Sequence, residues 1–319
     1  MNNTTVIIGA GISGLLLARE LTARGAKVIV LEKSRGVGGR MSTKRVGNAV
    51  FDQGAQFFTV RDEYFEALVE CWSGCGATAR WGGAESDRWI ACPSMTGLAK
   101  ALAKSVNVRL SHKVAAVKRH RCGCWEIDVE GEELIRAERL VMSSPVPQSL
   151  AMLDVGAVTL PSATRSALEQ CVYHPCLALM LILDRPSAVP PEGQEFADGP
   201  FRWVVDNVAK GVAQSAPAAI TVHLSREFSG AHYSASEAEV FEKVIPALRP
   251  LLGEAVVTAR ALHRWRFSEP AHTHPQKCVW LSDMALGFCG DSFGGPRVEG
   301  AATSGLALAR EIAKTLERH

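Results

Sequence analysis

Apolar positions along the chain fall into short runs whose spacing alternates between that of a strand and that of a helix. The run at 6–8 is continuous, Gly9-x-Gly11-x-x-Gly14 interrupts it, and helical spacing then holds over 15–23 until Gly25 closes the segment. A second apolar run, 27–31, ends on Glu32. This order predicts a buried strand, a tight turn, a helix and a second parallel strand.

Further along, 51–58 reads as a strand or extended passage. Phe65, Leu68, Val69 and Trp72 give 62–72 the period of an amphipathic helix, and a second helix starts at Ser94 and runs to about 104. Runs at 106–110, 114–118 and 125–129 have strand character and predict a small antiparallel hairpin insert. The run 140–142 returns to the parallel sheet. Beyond about 150 the strand-like runs 176–183, 201–205, 219–224 and 255–262 are separated by proline-rich loops and one helix. That helix is expected to start at Ser234, with Glu237 completing a capping box, and to kink or end at Pro246. The proline-rich segment 185–200 reads as a loop or lid. His263, Trp265 and Phe267 alternate with Arg264 and Arg266, so a strand puts the rings on one face, either lining a cavity or simply in the core. The run 286–291 is a last parallel strand with an acid at its tip, followed by a helix over 301–316.

The expected class is α/β: a Rossmann-type dinucleotide-binding domain, a parallel sheet with an antiparallel insert, plus a smaller α+β domain with a mostly antiparallel sheet. The expected boundaries are 1–60, 92–149 and 279–319 for the first, and 61–91 and 150–278 for the second.

Composition narrows the functions open to the chain. Its 319 residues are 47% hydrophobic with a net charge of +2, a balance in which nothing suggests a nucleic-acid or other polyanion partner. Nine cysteines without a CxxC pair point to a reducing, cytoplasmic setting. Cys122-x-Cys124 and His272-x-His274 offer metal-ligand types, but no further pair stands at zinc spacing and no metal is expected. The apolar amino-terminal run, broken by glycines, reads as a core strand and not as a signal peptide or membrane span.

Each fingerprint glycine has a role in holding a dinucleotide. Gly9 permits the turn, Gly11 lets backbone approach a pyrophosphate, and Gly14 lets helix pack on strand. The helix amino end adds N–H groups and a favourable dipole, and Glu32 stands where a carboxylate accepts ribose hydroxyls. A second cluster, Arg35-Gly-Val-Gly-Gly39-Arg40, implies another close approach of backbone to the same ligand, with Arg40 able to fork onto phosphate oxygens.

These motifs, with Asp52-Gln-Gly-Ala-Gln56-Phe57-Phe58 and the carboxyl-terminal Gly290-Asp291 and Val298-Glu-Gly-Ala301, resemble the FAD-containing amine oxidase superfamily. Within it, the short chain, Gln56-Phe57-Phe58-Thr59 and His263-Arg-Trp-Arg-Phe267 most resemble the renalases, in particular their bacterial branch. The resemblance implies non-covalent FAD held by Gly9, Gly11, Ile12, Ser13, Gly14, Glu32, Lys33, Gly39, Arg40, Met41, Gly54, Ala55, Gln56, Phe57, Val114, Asp291, Val298 and Ala301. In it Asp291 reaches the ribityl chain and the last helix faces the flavin pyrimidine edge. Val114 is either the adenine-packing residue of the superfamily or an ordinary strand valine.

The renalases oxidise dihydronicotinamide dinucleotides that carry the hydride at the wrong ring carbon, giving NAD(P)+ and hydrogen peroxide with O2. That activity is implied here, with the 1,2-dihydro isomer ahead of the 1,6. Substrate-side candidates are Phe57, Phe58, Thr59, Arg61, Thr96, Gly97, Leu98, Trp203, His223 and Trp265; a core role is the commoner fate of a residue such as His223. Arg61, Arg202 and Arg266 are candidates to meet substrate phosphate. No nucleophile–base pair is evident, and Glu85 and Asp87 read as solvated. Two alternatives stay open. An amine oxidase or desaturase of this superfamily normally has a lysine near flavin N5, which the sequence does not place. A flavin-free binding module, as in the Rab GDP-dissociation inhibitors, conflicts with the intact glycines, Glu32 and Asp291.

Overall fold

A computed structural model describes residues 4–83 and 86–316; Glu85 lies outside them. The strand Thr4–Ile8, with every residue buried, pairs in parallel with Lys27–Leu31 on one side and Arg139–Met142 on the other. Leu286–Phe288 joins next to Arg139–Met142, also parallel, and Val279–Leu281 closes that edge antiparallel. Burial on both faces is why these strands read as continuous apolar runs. The helices Ile12–Ala23 and Val298–Leu316 cover one face, with Leu17, Leu21, Leu308 and Ile312 in one apolar cluster. The two ends of the chain therefore build a single sheet.

The insert differs from its expected strands. Val108–Arg109 belongs to the parallel sheet beside Lys27–Leu31. The antiparallel unit consists of Val114–Arg119, Trp125–Val129 and Ile135–Ala137. Residues 106–110 are too weakly patterned to show which neighbour they pair with. A hairpin of Thr43–Val46 and Ala49–Asp52 was not anticipated either.

A second sheet, antiparallel throughout, orders Gln194–Glu195, Phe201–Asp206, Ala218–Leu224, Tyr173–Leu183 and Val257–Pro270. Alternation divides its side chains. Leu177, Leu179, Leu181, Ile220 and Val222 pack on Val240, Phe241, Val244 and Leu248 of the helix Glu237–Leu252, whereas Met180, Ile182 and Ala219 meet Ala49 and Phe51 of the hairpin. The second face also carries Thr221 and His223, and it roofs the candidate site.

Several helix boundaries are corrected. The capping box is Ser236 with Glu239, two residues later than expected, because the Ser-x-x-Glu pattern occurs twice in succession and only the second is reciprocal. The helix then runs through Pro246 and Pro250 to Leu252. Both prolines are exposed, so the carbonyls they leave unbonded face water while the buried row holds the helix in place. Instead of one helix in the middle of the chain there are also Ser162–Glu169 and Arg226–Ala231, both short. The last helix begins at Val298, three residues early. No helix among the described residues is long and apolar enough to cross a membrane.

Candidate active site

The amino-terminal fingerprint makes a cradle of backbone. Gly9 has φ +112°, and a methyl group on Gly14 would come within 2.3 Å of the Gly9 carbonyl, so both positions exclude side chains. A methyl on Gly11 would meet no atom within 4 Å, which leaves that turn approachable. The second glycine cluster stacks on the first: Gly38 N donates to Ala10 O at 2.8 Å, and a methyl on Gly39 would lie 3.5 Å from Gly11 Cα. Glu32, 7% exposed, accepts from Ala10 N through Oε2 and from Ser34 N through Oε1, each at 2.9 Å. The carboxylate is thereby fixed in place, with lone pairs remaining for hydroxyl donors. A cradle of free helix N–H groups beside such an acid suits a diphosphate joined to a ribose.

Arg40 does not stand free as a counter-charge. Its guanidinium forks onto Asp291, Nη1 to Oδ2 at 2.5 Å and Nη2 to Oδ1 at 2.7 Å, and also reaches the carbonyls of Phe267 and Ser268. Burial alone would lower the Arg40 pKa, but Asp291 and Tyr173 outweigh it and the net direction is up. Tyr173 donates or accepts with Ser292 Oγ at 2.6 Å, and burial pushes its hydroxyl pKa well above the usual tyrosine range.

Between the cradle and the second sheet runs the segment 52–56, pinned from both halves of the chain. Asp52 N donates to Asn207 Oδ1 at 3.0 Å, Thr221 Oγ1 donates to Asp52 O at 3.1 Å, and Ala55 N donates to Arg40 O at 2.8 Å. Gln53 O accepts from Trp265 Nε1 at 3.0 Å and lies 3.1 Å from His223 Nε2. Gln56 Nε2 folds back on the carbonyls of Asp52 and Gly54. At Gly54 a methyl would fall 1.9 Å from Arg40 O, so only glycine fits there.

Beneath this segment lies a residue the sequence did not single out. Lys210 Nζ meets Asp52 Oδ2 at 2.7 Å, with both side chains fully buried, and Asp52 Oδ1 accepts from Met95 N at 3.0 Å. Gln56 Oε1 is 3.5 Å from the ammonium, and the Trp81 ring centre 5.7 Å from it. Burial drives the Asp52 pKa up and the Lys210 pKa down, each opposed by the partner's charge. Lys210 sits next to Gly211 in a stretch that reads as an ordinary polar loop; the signal that it is special is its burial, which the sequence does not display. His223, shielded from water, has its pKa lowered to about 4 and is neutral at pH 7.

Three rings pack against one another beside Gln56. Phe57 lies 5.4 Å from Trp203 and 5.9 Å from Trp81, and Trp81 lies 6.4 Å from Trp203. Arg88 crosses them, its guanidinium carbon 4.8 Å from the Phe57 ring centre and 5.1 Å from that of Trp203. Trp203 Nε1 is buried with no hydrogen-bond partner, and so is Gln53 Oε1. Trp81 and Arg88 also went unremarked in the sequence.

The other substrate-side candidates divide. Trp203, His223 and Trp265 do come together with 53–57. Phe58, 3% exposed, instead packs on Phe65 in the helix-backed core, and Thr59 pairs with Arg88 along the strand. Thr96 Oγ1 is committed to Met41 O and Thr43 N, Leu98 has no exposure, and a methyl on Gly97 would strike Cys92 O, so each of the three is held by packing or hydrogen bonds within the chain. The Arg61 side chain is exposed, while its backbone N donates to Glu299. Arg202 is paired with Glu269. Among the cofactor candidates, Lys33 is exposed and reaches Gln148 Oε1 at 3.2 Å; Ile12, Ser13, Met41 and Val114 are buried; Val298 and Ala301 open the last helix. Burial pushes the Cys289 thiol up to about 12, which keeps it protonated. Cys122 and Cys124 do converge with a histidine, but it is His120, outside the His272 and His274 pair weighed from sequence.

With this geometry in place, comparison with known proteins adds a family. A model described as NAD(P)-binding Rossmann-like domain matches residues 7–72, and one described as flavin containing amine oxidoreductase matches residues 82–313. Among curated proteins, lysine-specific histone demethylase 1 homolog 3 of Oryza sativa subsp. indica is 49% identical over 45 residues, 14% of this chain and 6% of its own length. A 4,4'-diapophytoene desaturase of Staphylococcus haemolyticus is 41% identical over 64 residues, 20% of this chain and 13% of its own. The chain thus spans a small part of either relative. Among solved structures, a protein assigned as a protoporphyrinogen oxidase from Exiguobacterium sp. 255-15 superposes with a TM-score of 0.75 at 14% identity, covering 98% of this chain and 99% of that one. Putrescine oxidase bound to putrescine gives 0.65 at 16% identity with the same coverage. At such identities the structures speak for the fold alone.

Proposed function

The chain belongs to the flavin containing amine oxidoreductase family, whose cofactor is FAD, and from that premise we propose that it oxidises isomeric dihydronicotinamide dinucleotides, 1,2-dihydro-NAD(P) ahead of the 1,6-dihydro isomer. When bound, FAD would supply a hydride acceptor that O2 can reoxidise, so that with one proton from solvent the products would be NAD(P)+ and hydrogen peroxide.

The chain's own residues bind and orient. The backbone around Gly9, Gly11, Ile12, Ser13, Gly14 and Gly39 would hold the diphosphate, Glu32 the ribose hydroxyls, and Gly54, Ala55 and Gln56 the face of the ring system. Asp291, fixed by Arg40, and the helix opening at Val298 and Ala301 would hold its other end. Among the described residues of the site no strong base stands free: Lys210 is committed to Asp52, and His223, its pKa lowered to about 4, is only a weak base with its Nε2 turned to Gln53 O. A dihydropyridine needs none, because it gives up hydride without first losing a proton.

The observation that carries this reading is the buried, unpartnered Trp203 N–H in the ring cluster with Phe57 and Trp81. The half-buried Phe57 ring offers an apolar face to a pyridine, the indole N–H suits a carboxamide oxygen, and Arg88 at the same rings suits a phosphate. All nine cysteines are free thiols, which fits the reducing compartment proposed for the protein. The test is aerobic turnover of purified 1,2- and 1,6-dihydro-NAD(P). Equal amounts of NAD(P)+ and peroxide are expected; flavin reduction by amines and not by either isomer would overturn the reading.

A second reading, oxidation of a small amine, rests on Lys210, a buried lysine of the kind the sequence failed to place. Substrate choice in the same assay separates the two.

A further inference from the structure

Outside the flavin site, the turn joining Val114–Arg119 to Trp125–Val129 gathers three donors. His120 N donates to Cys124 O and Gly123 N donates to His120 O, each at 2.9 Å, and Gly123 takes φ +86°. Closed this way, the turn curls both thiols to one side, with Cys122 Sγ 3.0 Å from Cys124 Sγ and 2.9 Å from His120 Nδ1. The three ligand atoms all lie within 4.8 Å of one another. Cys122 N donates to His120 Nδ1 at 3.2 Å, which makes Nδ1 the acceptor and puts the ring proton on Nε2. A metal bound at Nδ1 would take the lone pair that this hydrogen bond now uses, so binding replaces the contact from Cys122 N.

We propose that this turn binds a single soft d10 cation through His120 Nδ1, Cys122 Sγ and Cys124 Sγ. Thiolate sulfur and imidazole nitrogen are the donors such cations select. No fourth His, Cys, Asp or Glu among the described residues joins the group, so Cu(I) is bound by three protein ligands, and Zn2+ takes a water as its fourth. Because the backbone hydrogen bonds already hold the donors together, little ordering opposes binding. Cys122 is exposed, so the ion enters directly from solvent.

The test uses the full-length, FAD-loaded, thiol-reduced protein, titrated anaerobically with Cu(I) and separately with Zn2+ against a chromogenic chelator. One equivalent is expected to bind and to protect two thiols from a thiol reagent. C122S and C124S are expected to abolish binding, and H120A to weaken it by roughly ten-fold or more. C71S and C75S, which alter the exposed cysteines of another segment, are expected to change nothing. Tighter Cu(I) binding identifies the three-ligand form and tighter Zn2+ binding the form with water; either upholds the site. An unchanged flavin spectrum in each variant separates loss of the site from loss of the fold. Failure of the wild-type protein to take up either ion, or unaltered binding by the C122S/C124S double variant, would overturn the proposal.

Discussion

Arg40 and Asp291, separated by 251 positions, form a two-pronged ion pair that ties the second glycine cluster to the start of the carboxyl-terminal helices. The pair closes the cradle, and the Arg40 side chain is only 29% exposed. Removing the carboxylate in D291A leaves that charge with weak carbonyl contacts and is expected to cost roughly 3 kcal/mol in urea unfolding of the FAD-free protein. R40K should recover only part of what an Arg40 truncation loses, because an ammonium cannot make both prongs at once. Equal stability of D291A and the unaltered chain would contradict this role.

The buried pair of Lys210 and Asp52 makes a coupled prediction. K210M leaves a carboxylate in a dry site and should lose about 3–5 kcal/mol, whereas D52N combined with K210M should lose much less. In K210M the Asp52 pKa, already raised by burial, rises further. The folded state then favours the neutral acid, so stability is kept below the unfolded carboxyl pKa and falls as pH rises through the folded one. Urea midpoints across pH for the two variants provide the check.

Trp203 supplies a donor that the protein itself leaves unused. In W203F the donor disappears together with part of a buried ring, so the relief of the unpaired N–H is offset by the cavity that the smaller ring leaves, and the free protein should be somewhat less stable. Substrate binding should weaken roughly ten-fold through the lost hydrogen bond. An unchanged KM in W203F would remove Trp203 from the substrate contacts.

His223 sets a pH dependence of stability. Its folded pKa is lowered to about 4, chiefly by burial, from an ordinary 6.5. Between those values the unfolded chain binds the extra proton, so stability is complete above the higher value and declines as pH falls toward the lower one. The loss amounts to about 3 kcal/mol at its limit. H223Q should flatten that slope; an unchanged slope would mean that other groups produce it.

Much of the frame was legible because strands of a doubly covered sheet need continuous apolar runs and a nucleotide turn needs glycine: residues 4–31 and the strand at 139–142 follow from these requirements. The corrections share a different cause. Val108–Arg109 and Ile135–Ala137 are too short to carry a period, and which strand pairs with which depends on contacts distant in sequence. The helix through Pro246 persists because of what its other face buries, a tertiary effect. In the site, Glu32 and Gly54 announce themselves through geometry that only one residue type satisfies. Lys210, Trp81 and Arg88 do not, since a lysine or tryptophan in a loop looks the same whether it is solvated or enclosed. Phe58 shows the converse: next to Phe57 in sequence, it turns into the core.

The most direct test mixes FAD-loaded protein anaerobically with purified 1,2-dihydro-NAD(P), 1,6-dihydro-NAD(P), ordinary 1,4-dihydro-NAD(P) and a diamine, following the visible flavin band. The account predicts rapid bleaching by the 1,2 isomer, slower or weaker bleaching by the 1,6 isomer, and none by the others on the same timescale. Bleaching by the diamine alone, or a protein that stays colourless when offered FAD, would contradict it.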